Sequence, residues 1–314
     1  MGLCAFLLSR RLTGSNAAAW AGMLVVCASP GMIHLLRSGF FIQLAMAPIF
    51  LWAMHAHASG RRWAALALWA VFLGCSEQAT LTLAGFSLFI GASSIKAKDR
   101  GGTLRALGLL VLAASLFWLE MRIKSAMSPH QLHEEHYADI YYGHLTAGGA
   151  YLKNALGALS SPAAYLPMAL LFLDLALLPL AAGRRLLVLA CAALPQIAAN
   201  PVTEFHNLVN LQMTYVYGPA AWCALEGLAA LWRSDFLTKR RSWLFPWLLL
   251  SLGQILWWVP IGFFDIPWPP YARTMSAAVG MIPSGASVWA DDAAGPALAF
   301  TERIKLVNSG AINE

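Results

Sequence analysis

The sequence predicts an all-α polytopic membrane protein with about ten membrane-embedded segments, followed by a short α/β tail on the extracytoplasmic side. Three observations carry that fold class. The 314 residues are 59% hydrophobic and only 11% charged, with a mean hydropathy of +0.61, whereas a soluble domain carries about 25% charged residues. The apolar residues lie in successive long runs along almost the whole chain, which a single buried core does not explain. The basic residues collect in the short gaps between alternate runs, the signature of cytoplasmic loops.

Spanning the hydrocarbon takes about 20 apolar residues, or fewer for a partly embedded helix. The runs fall at 1–9 (partial), 16–36, 40–58, 63–75, 78–95, 104–121, 161–182, 186–199, 212–232 and 243–262. The first, Gly2 to Leu8, has no basic n-region and ends in Arg10-Arg11. It therefore reads as the cytoplasmic end of a helix that begins upstream, and not as a cleavable leader. Pro30-Gly31 marks the outer end of the second run. Thirteen Trp and sixteen Pro suit interface anchoring and interrupted helices.

Alternating the runs puts Arg10, Arg11, Arg61, Arg62, Lys96, Lys98, Arg100, Arg105, Arg184, Arg185, Arg233, Lys239, Arg240 and Arg241 on one side. Arg37, Arg122, Lys124, Lys153, Arg273, Arg303 and Lys305 fall opposite them or beyond the last span. The first set marks the cytoplasmic face of a multi-pass protein of the cell (inner) membrane. The connections at about 125–160 and 200–211 then lie outside. The chain divides into a helical membrane domain over 1–262 and the start of a soluble extracytoplasmic α/β segment over 263–314.

Within the first external connection, Tyr151, Leu152, Ala155, Leu156 and Leu159 make one apolar face opposite Lys153 and Asn154, predicting a surface helix over 150–159. The tail leaves the membrane through Asp265-Ile266-Pro267-Trp268-Pro269-Pro270. After it, Ala286 to Ala290 reads as a strand, Ala293 to Thr301 as a helix and Ile304 to Val307 as a second strand, a βαβ pattern cut off at Glu314.

The net charge of +6 does not point to nucleic acid, because the charges form short clusters between apolar runs and no basic, aromatic-interleaved face. Cys4, Cys27, Cys75, Cys191 and Cys223 lie in or beside apolar runs at no metal-ligand spacing, so they make no disulfide framework.

Four stretches carry a family likeness. They are Arg37-Ser38-Gly39-Phe40-Phe41, Ser76-Glu77-Gln78-Ala79-Thr80-Leu81-Thr82, Leu194-Pro195-Gln196 through Tyr217-Gly218-Pro219, and Ile282-Pro283-Ser284-Gly285-Ala286-Ser287-Val288 through Arg303. Together they resemble an uncharacterised family of bacterial and archaeal membrane proteins, the domain of unknown function DUF2079. That family is similar in architecture to the GT-C glycosyltransferases, which use polyprenyl-phosphate-linked sugars. The chain departs from the pattern at Phe41, where the family usually has His, and at Ser76 and Gln78, where it has Lys and Asp. Relative to the family the chain looks incomplete at both ends, and the first external loop that usually holds a GT-C catalytic acid is expected upstream of it.

The resemblance implies a GT-C-like fold and a lipid-linked sugar donor on the extracytoplasmic side. In that chemistry an acid activates the acceptor hydroxyl and cations hold the departing phosphate. Glu77, Glu134, Glu135 and Asp139 are the candidate acids. Arg37, Arg122, Lys124 and His206 are the candidates for binding phosphate or substrate, a guanidinium being able to grip phosphate oxygens in bidentate fashion. His133 and His136, three residues apart beside Glu134 and Glu135, have ligand types that would hold a divalent ion.

Each residue also has a plainer reading. Glu77 is a helix N-terminal acid behind the N-cap Ser76, Glu120 and Lys124 pair at i, i+4, and the 130–139 stretch and Glu204-His206 are solvated loop. Asp174 and Glu226, inside spans near their cytoplasmic ends, read as structural acids, with Glu226 snorkelling to the headgroups and Arg233. Two further function classes stand beside the enzyme: a non-catalytic scaffold or lipid-binding homologue, and a transporter coupled through the intramembrane acids.

Overall fold

The computed structural model describes residues 1–29, 45–76, 78–127, 151–161, 165–198, 214–234, 288–290 and 304–306. The chain separates into two compact units, Met1–Trp257 and Trp258–Glu314. The expected boundary at 262/263 and the apolar run at 243–262 lie outside the described residues.

Among the described residues the first unit is helical, and six of these helices form three hairpins with very short turns. α1 (Gly2–Thr13) ends at Gly14, whose φ of 69° is left-handed and whose N–H reaches the Arg10 carbonyl at 2.8 Å; glycine takes this conformation without the Cβ strain other residues incur. Ser15 then caps α2 (Asn16–Cys27), accepting from the Ala18 N–H at 3.4 Å. The Ser9 hydroxyl donates to the Ala18 carbonyl at 3.0 Å, tying the two helices side by side. α3 (Met46–Ala58) and α4 (Arg62–Leu73) meet through a turn at Gly60, φ 73°. α5 (Ala79–Lys96) and α6 (Arg100–Met127) are joined through Lys98, φ 55°, and the Ser87 hydroxyl donates to the Ala106 carbonyl at 2.5 Å. Basic residues stand in or beside all three turns: Arg10 and Arg11 in the last turn of α1, Arg61 and Arg62 after Gly60, and Lys96, Lys98 and Arg100 at the third.

α7 (Tyr151–Ser160) falls where the amphipathic surface helix is expected. The run at 161–182 does not form one span. It breaks into α8 (Leu166–Asp174) and a 3₁₀ helix, Leu178–Arg185, across a turn in which Ala176 and Leu177 have φ of 54° and 58°. Left-handed backbone at two apolar side chains is costly. The surrounding helices hold it there, with Ala176 and Leu178 buried in the core. Gly183, at φ 62° and ψ −127°, kinks the chain again before α9 (Leu186–Ala198). Only glycine enters that region readily.

α10 (Thr214–Arg233) is the centre of the unit. Every residue from Tyr215 to Ala229 is buried, and the helix packs against the 3₁₀ helix, α3, α1, α9 and α2. Glycines allow the close approaches. A Cβ on Gly218 would stand 3.1 Å from Ala47 Cα, and one on Gly227 only 1.9 Å from the Leu178 carbonyl oxygen. Gly85 of α5 similarly meets the α9 backbone at Val188 and Leu187. Small residues at helix interfaces are how membrane helices maximise packing. Phe50, Trp69, Phe72, Phe86, Phe89 and Trp222 add a continuous aromatic cluster linking α3, α4, α5 and α10, with ring centroids 5.4 to 6.3 Å apart.

Among the described residues three helical stretches are long and apolar enough to cross a membrane: Ala79–Lys96, Arg100–Ile123 and Leu178–Pro195, the last kinked at Gly183. α6 turns Leu104, Leu107, Val111, Trp118 and Leu119 outward, an apolar surface of the kind that meets lipid or a partner instead of water.

In the second unit, β1 (Val288–Ala290) and β2 (Ile304–Leu306) pair in parallel, Val288 opposite Ile304. A parallel pair needs a crossover; the helix expected at 293–301 lies outside the described residues.

Candidate functional site

Most residues singled out from the sequence lie outside the described residues: Arg37, Glu77, His133, Glu134, Glu135, His136, Asp139 and His206. Lys124 belongs to α6. Arg122, on the same helix, is exposed, and its guanidinium carbon sits 5.2 Å from the centre of the Trp118 ring. Trp118 is one turn earlier and 61% exposed. At 1.5 Å per residue, Arg122 stands roughly 33 Å along the helix from Arg100. That is the thickness of the hydrocarbon, about 30 Å. Arg122 and its tryptophan thus stand about one hydrocarbon thickness along α6 from the basic turn at Lys96–Arg105, with the ring offering the guanidinium a cation–π platform.

Two buried polar groups gather around α10. At its first turns the Tyr217 hydroxyl donates to the Val26 carbonyl at 2.8 Å and shares a short hydrogen bond with the Ser29 hydroxyl, all of it buried. Asp174, buried at the end of α8, is near enough to act on Tyr217 electrostatically. Near the other end, Glu226 meets Arg185 with Nε to Oε2 at 3.1 Å. The same guanidinium lies 5.7 Å from the centre of Phe89, and the Cys223 thiol points at the Arg185 carbonyl at 3.4 Å.

The expectation that Glu226 snorkels toward Arg233 is corrected here. Its carboxylate turns inward to Arg185, while Arg233 folds back to donate to the Ala229 carbonyl at 3.1 Å. The physical reason is the enclosure of α10. With helices on every side, a short carboxylate has no route to the headgroups, and a buried charge must find a partner.

No family model, curated protein or solved structure matches the chain. What the two groups do follows from their own chemistry. A buried carboxylate paired with an arginine that itself rests on Phe89 is a structural junction. Arg122 is different, being a cation held in place by an aromatic ring yet open to whatever lies at the interface. Among the described residues no three His, Cys, Asp or Glu gather as a metal site, and all five cysteines are free thiols.

Sequence reasoning placed Arg185 among the loop cations and missed its pairing with Glu226. Gly183 beside two arginines was the available signal, since a glycine kink lets successive side chains diverge. Trp118, one turn before Arg122, was legible as an i, i+4 neighbour.

Proposed function

We propose that this chain is a multi-pass protein of the cell (inner) membrane with GT-C-like architecture, transferring a sugar from a polyprenyl-phosphate donor on the extracytoplasmic face. The observation that carries the reading is Arg122 on its Trp118 platform, one hydrocarbon thickness from the basic turn of the same hairpin. A donor phosphate anchored by a polyprenyl chain sits at that interface, and an exposed guanidinium there would bind two of its oxygens. The resemblance of the Glu77 stretch and the basic turns of all three hairpins support the same orientation.

In the reaction, the acceptor hydroxyl attacks the sugar C1, the C1–O bond to phosphate breaks and the polyprenyl phosphate departs. Glu77 or an acid of the 134–139 stretch takes the hydroxyl proton. Arg122, with Arg37 and Lys124, offsets charge developing on the phosphate. His206 is a further donor to substrate, and His133 with His136 would hold a divalent ion if one assists.

The test is sugar transfer by the full chain reconstituted with a panel of radiolabelled polyprenyl-phosphate sugars. Arg122→Ala is expected to lower kcat/KM by about tenfold or more, with Arg122→Lys recovering part of it. Unchanged transfer in Glu77→Ala removes that residue from the mechanism, and no transfer by wild type with any donor overturns the reading. One observation favours a second reading, a non-catalytic scaffold or lipid-binding subunit: Ser76 and Gln78 flank Glu77 where the resembled family has Lys and Asp. Copurification of a stoichiometric partner from native membranes, with no transfer activity, would favour it.

A further inference from the structure

Arg184 and Arg185 are neighbours in sequence that part company in space. Below the Gly183 kink, Arg185 turns inward to Glu226, while Arg184 stays exposed and donates Nη1 to the Ala92 carbonyl of α5 at 3.3 Å. Ala92 and Lys96 are one turn apart on one face of α5, and helical side chains lean toward the N-terminus of their helix. The Lys96 stem therefore leans over the turn that Arg184 grips. Lys98 follows in the adjoining turn, exposed like Lys96.

The acid in that turn, Asp99, is turned elsewhere. A Cβ on Gly102 would stand 2.6 Å from its Oδ2 and one on Gly101 3.4 Å from its Oδ1, so the carboxylate lies against the first turn of α6, where the helix dipole favours it. Three exposed cations, Arg184, Lys96 and Lys98, thus stand at or beside the C-terminal end of one helix, with no carboxylate paired to them among the described residues. Beside them Ile95 is 68% and Leu187 37% exposed, an apolar border that a soluble anion has no use for and an acyl chain does.

We propose that Arg184, Lys96 and Lys98 form a binding site for the phosphate headgroup of an anionic phospholipid on the basic face of the helical unit, its acyl chain running along Ile95 and Leu187. The site rests on the membrane-spanning reading of α5 and the 3₁₀–α9 stretch, and is independent of the glycosyl-transfer chemistry at the opposite face. Arg185 does not contribute a charge to it, because Glu226 already neutralises that one.

The experiment is native mass spectrometry of the full chain released from nanodiscs, titrated with phosphatidylglycerol or phosphatidylcholine. Wild type is expected to retain phosphatidylglycerol in preference. Arg184→Gln combined with Lys96→Gln should weaken that retention by about tenfold or more, since each cation near an anionic surface contributes separately. Arg184→Lys should stay within about threefold of wild type, which separates loss of charge from loss of fold. Arg10→Gln with Arg11→Gln, at a different basic turn, should leave retention unchanged. Equal weakening by both double variants, or equal retention of the two lipids, overturns the site in favour of diffuse attraction. Competition by millimolar inorganic phosphate overturns the lipid assignment. Release of the chain from membranes by alkaline carbonate overturns the spanning reading itself, and this site with it.

Discussion

Arg185 Nε lies 3.1 Å from Glu226 Oε2, fastening the kinked 3₁₀ segment to the central helix α10. The glutamate side chain is 8% exposed and the arginine 32%, so removing either partner is not symmetric. Arg185→Ala strands a buried carboxylate and should destabilise the protein by about 3 kcal/mol, the low end for a buried pair because the arginine is partly solvated. Glu226→Gln should cost less, since Arg185 keeps Phe89 and a route to solvent. Replacing both by Met should restore most of the loss. Thermal unfolding in detergent of these three variants reads the pattern, and a double variant no better than Arg185→Ala would contradict it.

Two helical glycines in opposite surroundings should respond oppositely to alanine. At Gly227 the new Cβ would fall 1.9 Å from the Leu178 carbonyl oxygen, backbone that cannot swing aside. Gly227→Ala should cost about 3 kcal/mol or more, or prevent assembly. Nothing lies within 4 Å of a Cβ on Gly108, so Gly108→Ala should stabilise α6 by up to about 1 kcal/mol. Detergent-solubilised yield and unfolding midpoint distinguish the two.

Tyr217→Phe removes the hydroxyl that donates to Val26 and meets Ser29, leaving that carbonyl and the Ser29 hydroxyl with their weaker bond to one another at 3.3 Å. The expected cost is about 1–2 kcal/mol with no change in helix content, read by unfolding and circular dichroism.

If Arg122 holds a donor phosphate as proposed, Trp118→Leu should weaken donor binding by about threefold, the worth of an exposed cation–π contact. Because the ring positions the cation and touches no reacting atom, the loss should appear in KM while kcat holds. Trp118→Phe should keep most of the effect, and a fall in kcat instead would reassign the ring.

The helices were legible where apolar runs meet charge. The runs at 63–75, 78–95 and 186–199 correspond to Arg62–Leu73, Ala79–Lys96 and Leu186–Ala198 within a few residues. Each is bounded by arginines, lysines or a Gly-containing turn, features that act locally. The break inside 161–182 was not legible in hydropathy, since Leu175, Ala176 and Leu177 are as apolar as their neighbours and their left-handed turn is imposed by packing. The Arg185–Glu226 contact was hidden for a related reason, being a tertiary pairing between residues that each had a plausible local role. At the candidate site, Arg122 was legible as a rare charge at the end of an apolar run, while its tryptophan platform depended on which faces of α6 point outward.

The enclosure of α10 also bears on how the protein is made. Elements from α1 onward pack on a helix that follows them all in the chain. During synthesis the early hairpins therefore wait without their central helix, held by their own turns, by bonds such as Ser9 to Ala18 and Ser87 to Ala106, and by the direct packing of α1 on α3. Tyr215 to Ala229 then supplies the axis on which they pack. Late-arriving centres lengthen the period in which partly assembled intermediates are exposed to misassociation and quality control. Substitutions in α10 should therefore lower the amount of protein that accumulates in cells more than their effect on the finished fold would suggest.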